Sequence, residues 1–202
     1  MDNEIEKVIA GCDALLFDCD GTLIDSASLH CESFRQAFEL QGIAMTPDWY
    51  YARVGLDCRG IVADTFAAHG KLLDVEATAL DVERRYLSLL GDVQTIEDIA
   101  GLARRWSGLK PMAVVSNGLR EGVEASLQAV DLLRYFDAVV CADDGLPLKP
   151  APDMYLQAAR LLQAPIEQCV VFEDAAEGIA AGRSAGAHVV DVNAWLATRE
   201  TH

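Results

Sequence analysis

Four short segments hold the side chains of this sequence that could do chemistry together: Asp18-Cys19-Asp20-Gly21-Thr22, Ser116-Asn117-Gly118, Lys149-Pro150 and Glu173-Asp174. Asp18 and Asp20 stand two residues apart, so on a continuing strand both side chains point the same way. One carboxylate can then attack an electrophile in line while the other manages protons. Gly21 gives the backbone room to turn beneath a bound anion. Asp-x-Asp-Gly alone is common in turns. A calcium loop is a poorer match, because it places its glycine five residues after its first aspartate, whereas Gly21 follows Asp18 by three.

Charge decides what such a set can hold. Asp18, Asp20, Glu173 and Asp174 carry up to four negative charges. Two like charges ~4 Å apart repel by about 4 kcal/mol at an effective dielectric of about 20. Lys149 alone cannot offset this, so the pattern predicts a hard divalent cation. An oxygen-only ligand set favours Mg²⁺ over zinc. A cation held by few protein ligands completes its shell with a substrate phosphate, to which Ser116 and nearby backbone N–H groups can donate.

Each segment follows an apolar run of the kind that forms a buried parallel strand: Ala14 to Phe17, Met112 to Val115, Ala138 to Cys141 and Cys169 to Phe172, with a further run from His188 to Val192. Helical patterns separate them. Leu119, Val123, Leu127 and Val130 recur as one helix face requires. Pro152 can open a helix from Asp153 to Leu162, with Tyr155, Ala158, Ala159 and Leu162 on its buried side. The small residues from Ala175 to Ala185 suit a helix lying close to a sheet. Strand alternating with helix predicts an α/β fold, a doubly wound parallel sheet whose strand ends gather the four segments on one edge. The alternation lapses once. Residues 26–92 read as an inserted α-helical cap, punctuated by Gly42, Gly55, Gly70 and Gly91. Residues 1–25 and 93–202 read as the catalytic core.

Composition narrows the partners. Half of the 202 residues are apolar, and the net charge is -16. Without a Lys/Arg excess, nucleic acid and anionic membranes are poor partners, and no obligate protein partner is expected. No run reaches the roughly 18 apolar residues that read as a membrane-spanning helix. The acidic start, Met1 to Lys7, predicts no secretory leader. Six scattered cysteines without metal or disulfide spacing fit reduced thiols and a cytoplasmic setting.

Together, Asp18-Cys-Asp-Gly-Thr-Leu, Val115-Ser-Asn-Gly, Lys149-Pro-Ala-Pro-Asp and Phe172-Glu-Asp-Ala resemble the four motifs of the haloacid dehalogenase-like (HAD) superfamily. The helical insert is similar to the cap of its β-phosphoglucomutase-like subgroup, and the C-terminal half resembles sugar-phosphate phosphatases acting on fructose 1-phosphate or 6-phosphogluconate. The resemblance implies a Rossmann-like core and a Mg²⁺-dependent phosphatase of a small phosphate ester. Asp18 would be the nucleophile and Asp20 the acid and base. Ser116 would bind the phosphoryl group, and Lys149 would balance charge. Asp18, the Asp20 carbonyl and Asp174 would hold the metal, with Glu173 nearby or ligating. Thr22 would support the loop. Thr22 and Asn117 lie where substrate is bound, as His30, Arg53 and Arg59 would in the cap. Two departures stand out. Ala175 replaces a common serine, and Arg53 and Arg59 flank Gly55 in a register displaced from that of the mutases.

Two decoys fail on context. Gly182-Arg-Ser-Ala-Gly186 matches a nucleophile elbow, but a helix precedes it and a strand follows, the reverse of what that elbow needs. Gly55 to Gly60 mimics a phosphate loop without its lysine. A phosphomutase uses the same four segments and stays the principal alternative. Asp57, between Arg53 and Arg59, would repel a second phosphate and so favours hydrolysis. A dehalogenase has no use for Asp20, and a non-catalytic phosphate binder has no need of both Asp18 and Asp20.

Overall fold

The computed structural model describes residues 2–53, 56–71 and 74–199. Gly55 lies outside them. The elements run α1 (Asp2–Gly11), β1 (Ala14–Phe17), β2 (Ile24–Asp25), α2 (Ala27–Glu39), α3 (Pro47–Tyr51), α4 (Cys58–Ala68), α5 (Val75–Leu89), β3 (Gln94–Thr95) and α6 (Glu97–Trp106). They continue as β4 (Met112–Val115), α7 (Arg120–Ala129), β5 (Ala138–Val140), α8 (Asp153–Leu161), β6 (Cys169–Glu173), α9 (Ala176–Ala185), β7 (His188–Asp191) and α10 (Val192–Ala197). The chain divides into two compact units, Met1–Asp25 with Gln94–His202, and Ser26–Val93.

The first unit is built on a five-stranded sheet in the order β5-β4-β1-β6-β7, every neighbour parallel. All four residues of β1, all four of β4 and all five of β6 are buried. An uninterrupted apolar run is what a strand covered on both faces needs. Ala14, Leu16, Val115, Val140 and Val171 share one core cluster with Met154, Tyr155, Ala158 and Ala159 of α8 and Ala181 of α9. The alternate residues point the other way, where Phe17 stacks on Phe172 with ring centroids 4.8 Å apart. Small residues bring α9 close to the sheet, since a Cβ on Gly182 would stand 2.9 Å from a Val189 methyl.

In the second unit α2 packs chiefly on α5. Phe34 and Phe38 of α2 form its core with Tyr50, Val62, Phe66 and Val82 from the other helices. Thr46, Asp57 and Asp74 start α3, α4 and α5 by accepting backbone N–H groups. That occupation gives Asp57 a structural task. Val93 goes with this unit rather than with the sheet unit, because it follows the 3₁₀ turn Leu90–Asp92 and pairing resumes only at Gln94.

Several elements escape the sequence reading. The antiparallel β2–β3 pair is two residues long on each side, too short for any periodicity. α1 and α10 lie at the chain ends beyond the strand–helix alternation. α6, with Glu97 and Asp98 in its first turn and Arg104 and Arg105 in its last, follows the charge order a helix dipole favours.

Candidate active site

Strand register assembles the site. Phe17 pairs with Val114 on one side and Phe172 on the other. The next residues along the three strands are therefore Asp18, Val115 and Glu173, and the following ones bring Ser116 and Asp174. Asp18 is anchored by its own N–H, which donates to the Phe172 carbonyl at 3.0 Å. Beyond it the chain tightens, as Gly21, Leu23 and Ile24 bond back across the turn. Gly21 adopts φ +85°, and a Cβ there would fall 2.3 Å from Asp174 Oδ2. Glycine is required both for the backbone sign and for the space.

Lys149 joins the strand ends from the loop after β5. Its ammonium donates to Asp18 Oδ1 at 2.6 Å, to Glu173 Oε1 at 2.6 Å and to the Val115 carbonyl at 2.8 Å. An ammonium has three donors, and all three are taken. Asn117 holds the lysine backbone from both sides, accepting from Lys149 N–H at 3.0 Å and donating to its carbonyl at 3.2 Å. Both amide atoms of Asn117 thus serve the loop, where the sequence reading had them facing substrate. Ser116 is buried, and its hydroxyl accepts from Gly118 N–H at 3.0 Å.

Asp18, Glu173 and Asp174 each present an oxygen, all within 4.8 Å of one another, the kind of grouping that can hold a metal. The Asp20 carboxylate is outside this trio among the described residues. Thr22, fully buried, donates to Asp174 Oδ1 at 3.1 Å, so it braces the acidic cluster instead of facing a cleft. Three acids against one lysine leave excess negative charge. Burial, reinforced by Glu173, raises the Asp18 carboxyl well above the usual range, with Lys149 offsetting part of the effect. Burial and then Glu173 push Asp174 up to about 6. Burial alone would lower Lys149, but Asp18, Tyr155 and Glu173 more than offset it and keep it charged.

His30, Arg53 and Arg59, the sequence-predicted residues of the helical unit, each have a contact within that unit. His30 is half-buried and stacks on Tyr86, ring centroids 4.0 Å apart. Arg53 lies over the Trp49 ring and is ion-paired with Asp64. Arg59 pairs with Glu76 at 2.8 Å, both largely exposed. A family model described as haloacid dehalogenase-like hydrolase matches residues 12–186, which include every acid, hydroxyl and lysine of the sheet-edge site.

The chain belongs to the haloacid dehalogenase-like hydrolase family.

The fructose-1-phosphate phosphatase YqaB of Escherichia coli (strain K12) is 35% identical over 88% of this chain and 95% of its own length. The 6-phosphogluconate phosphatase of the same organism is 31% identical over 88% of this chain and 80% of its own. CbbY from Rhodobacter sphaeroides, solved in complex with phosphate, superimposes with a TM-score of 0.80 at 26% identity, covering 88% of this chain and 84% of that one. This hydrolase has a parallel Rossmann-like sheet flanked by helices, a fold it shares with that structure.

One residue at the site was assigned from its pattern to the core alone. Tyr155 packs in the α8 face as expected, yet its hydroxyl donates to Glu173 Oε1 at 2.6 Å. Burial raises its phenol well above the usual value, so it stays a donor. A buried tyrosine needs a partner for its hydroxyl, and that need was the available sign.

Proposed function

We propose that this chain is a Mg²⁺-dependent phosphatase of small phosphorylated metabolites, sugar phosphates foremost, working through an aspartyl-phosphate on Asp18. The observation that carries the reading is the Asp18 carboxylate held by a fully engaged, buried lysine at the end of the central strand, beside two further acids. The names of the two phosphatase relatives support a sugar-phosphate substrate.

The donor set suits Mg²⁺. It consists of carboxylate oxygens, and the raised Asp18 and Asp174 carboxyls mark negative charge that a cation would relieve. Asp18 and Asp174 would hold the ion with the Asp20 carbonyl, and Glu173 is close enough to join them. When bound, the ion would neutralise charge on the phosphate oxygens. Asp18 attacks phosphorus and the bond to the leaving oxygen breaks. Asp20, protonated at the start, gives that oxygen its proton and then takes one from the water that hydrolyses the aspartyl-phosphate, so Asp18 returns as a carboxylate and Asp20 as the acid. Ser116 donates to the phosphoryl group. Lys149 keeps Asp18 aimed. Residues 26–92 are assigned the role of substrate-selecting cap, and residues 1–25 with 93–202 that of the catalytic core.

The test is phosphate release from a panel of phosphorylated sugars, with Mg²⁺ and with chelator. We expect release in the first condition and none in the second. Conversion of β-glucose 1-phosphate to the 6-phosphate, primed with a trace of the bisphosphate and with little free phosphate, would reassign the chain as a mutase.

A further inference from the structure

Glu173 is almost fully buried, 1% exposed, and its polar contacts are all accounted for. Oε1 accepts from both Lys149 Nζ and the Tyr155 hydroxyl, each at 2.6 Å, and Oε2 accepts from Ala175 N–H at 3.3 Å. The carboxylate also occupies the space where residue 178 would carry a side chain. A Cβ on Gly178 would stand 1.8 Å from Oε1 and 2.0 Å from Cδ. A helix interior disfavours glycine by about 1 kcal/mol relative to alanine, so Gly178 costs α9 something and makes room for this carboxylate.

We propose that Tyr155 and Gly178 are positioning residues for the hydrolysis: Tyr155 pins Glu173 Oε1 by its hydroxyl and Gly178 leaves the carboxylate its only berth, so that Lys149 is shared between Glu173 and Asp18. The inference rests on the phosphatase reading of the same site. Without the tyrosine hydroxyl, Oε1 depends on Lys149 alone. It then draws the ammonium away from Asp18 Oδ1, and the nucleophile loses its aim. The Tyr155 ring lies beside the ammonium as well, its centroid 5.2 Å from Lys149 Nζ. Phenylalanine keeps that ring and the packing of α8, and removes only the hydroxyl.

The experiment compares wild type, Tyr155→Phe and Gly178→Ala as full chains. Two readouts are taken: steady-state phosphate release with saturating Mg²⁺, and the NMR resonance of the buried Lys149 ammonium without substrate. In Tyr155→Phe, kcat falls by about tenfold to a hundredfold, the loss expected of one hydrogen bond to a charged group, with KM changed less than about threefold. The Lys149 resonance shifts or is lost to exchange. Gly178→Ala, which displaces Glu173 by a different route, shows the same pair of effects and decides the matter if Tyr155→Phe does not fold. A normal kcat in a folded variant overturns the proposal, and so does a lowered kcat with an unaltered Lys149 resonance. If the wild type releases phosphate from no ester, the phosphatase reading falls on its own, and the resonance alone decides whether Tyr155 positions Lys149.

Discussion

Lys149 sits where three acceptors meet, and that saturation defines its task. With Asp18, Glu173 and the Val115 carbonyl using all its donors, it acts on the orientation and charge of Asp18. Replacing Asp18 by Asn keeps the shape and removes the proposed nucleophile. Phosphate release from Asp18→Asn should drop at least about a thousandfold, a change of roughly 4 kcal/mol in the barrier. Its thermal melt in chelator should be no lower than that of the wild type, because Lys149 keeps its partners on Glu173 and Val115 while one buried negative charge is gone. Retained turnover in a clean preparation would remove Asp18 from the mechanism. Thr22 gives a subtler case. Its hydroxyl donates to Asp174 Oδ1, so Thr22→Val, isosteric but without the donor, should raise the Mg²⁺ concentration for half-maximal activity severalfold. The rate at saturating metal should hardly change. Magnesium titration of activity in the two proteins separates these effects.

At the scale of elements, two turns carry most of the specification. The β1–β2 turn needs glycine at position 21 for both φ +85° and the closeness of Asp174. Gly21→Ala should therefore cost more than the usual glycine-to-alanine change, with weaker metal binding read by calorimetry. The start of α4 depends on Asp57, whose side chain accepts from Gly60 N–H at 2.8 Å. Asp57→Ala should lower stability in urea by about 1 kcal/mol, the ordinary value of a lost N-cap. Its rate on the generic ester p-nitrophenyl phosphate should be unchanged. A large rate change with no loss of stability would return Asp57 to the substrate-reading role inferred from its place between two arginines. From sequence that position reads as charge near a substrate. The capping contact depends on a helix beginning one residue later, and element boundaries are the least legible feature of a sequence.

For the whole molecule, negative charge is the governing quantity: -16 overall, with its costliest share at the sheet edge. Asp174 titrates near 6 in the fold against an ordinary 3.8. A carboxyl with a raised folded value destabilises the fold once ionised. The penalty is complete above about pH 6, fades as pH falls and is gone below about 4; Asp18 shifts in the same direction. In chelator, the melting temperature should therefore rise from pH 7 to pH 5. Saturating Mg²⁺ should raise it more at pH 7 than at pH 5, because the ligands bind metal only when ionised. Melts at the two values, with and without the ion, check both statements. A chelated protein that is steadily less stable at pH 5 would show that the acids are balanced without a cation.

The sequence by itself determined the fold class and which residues gather at its sheet edge. Apolar runs of strand length ending in Asp18, Ser116 and Glu173 can be satisfied only by strands buried on both faces, and parallel strands put their ends on one side. Local pattern also sufficed for α7, α8 and α9, to within a residue at their ends. Which oxygen meets which donor depended on tertiary structure. Asn117 turned to the Lys149 backbone, Thr22 to Asp174, Tyr155 to Glu173, and Arg53 and Arg59 to acids of their own unit. These partners lie between 11 and 152 residues apart along the chain, and hydrophobic periodicity says nothing of which polar atoms pair across such separations. A hydrogen bond is fixed by angstroms, and only packing, of the sheet with Gly178 cleared for one carboxylate and of the helices in their own unit, brings those atoms within reach.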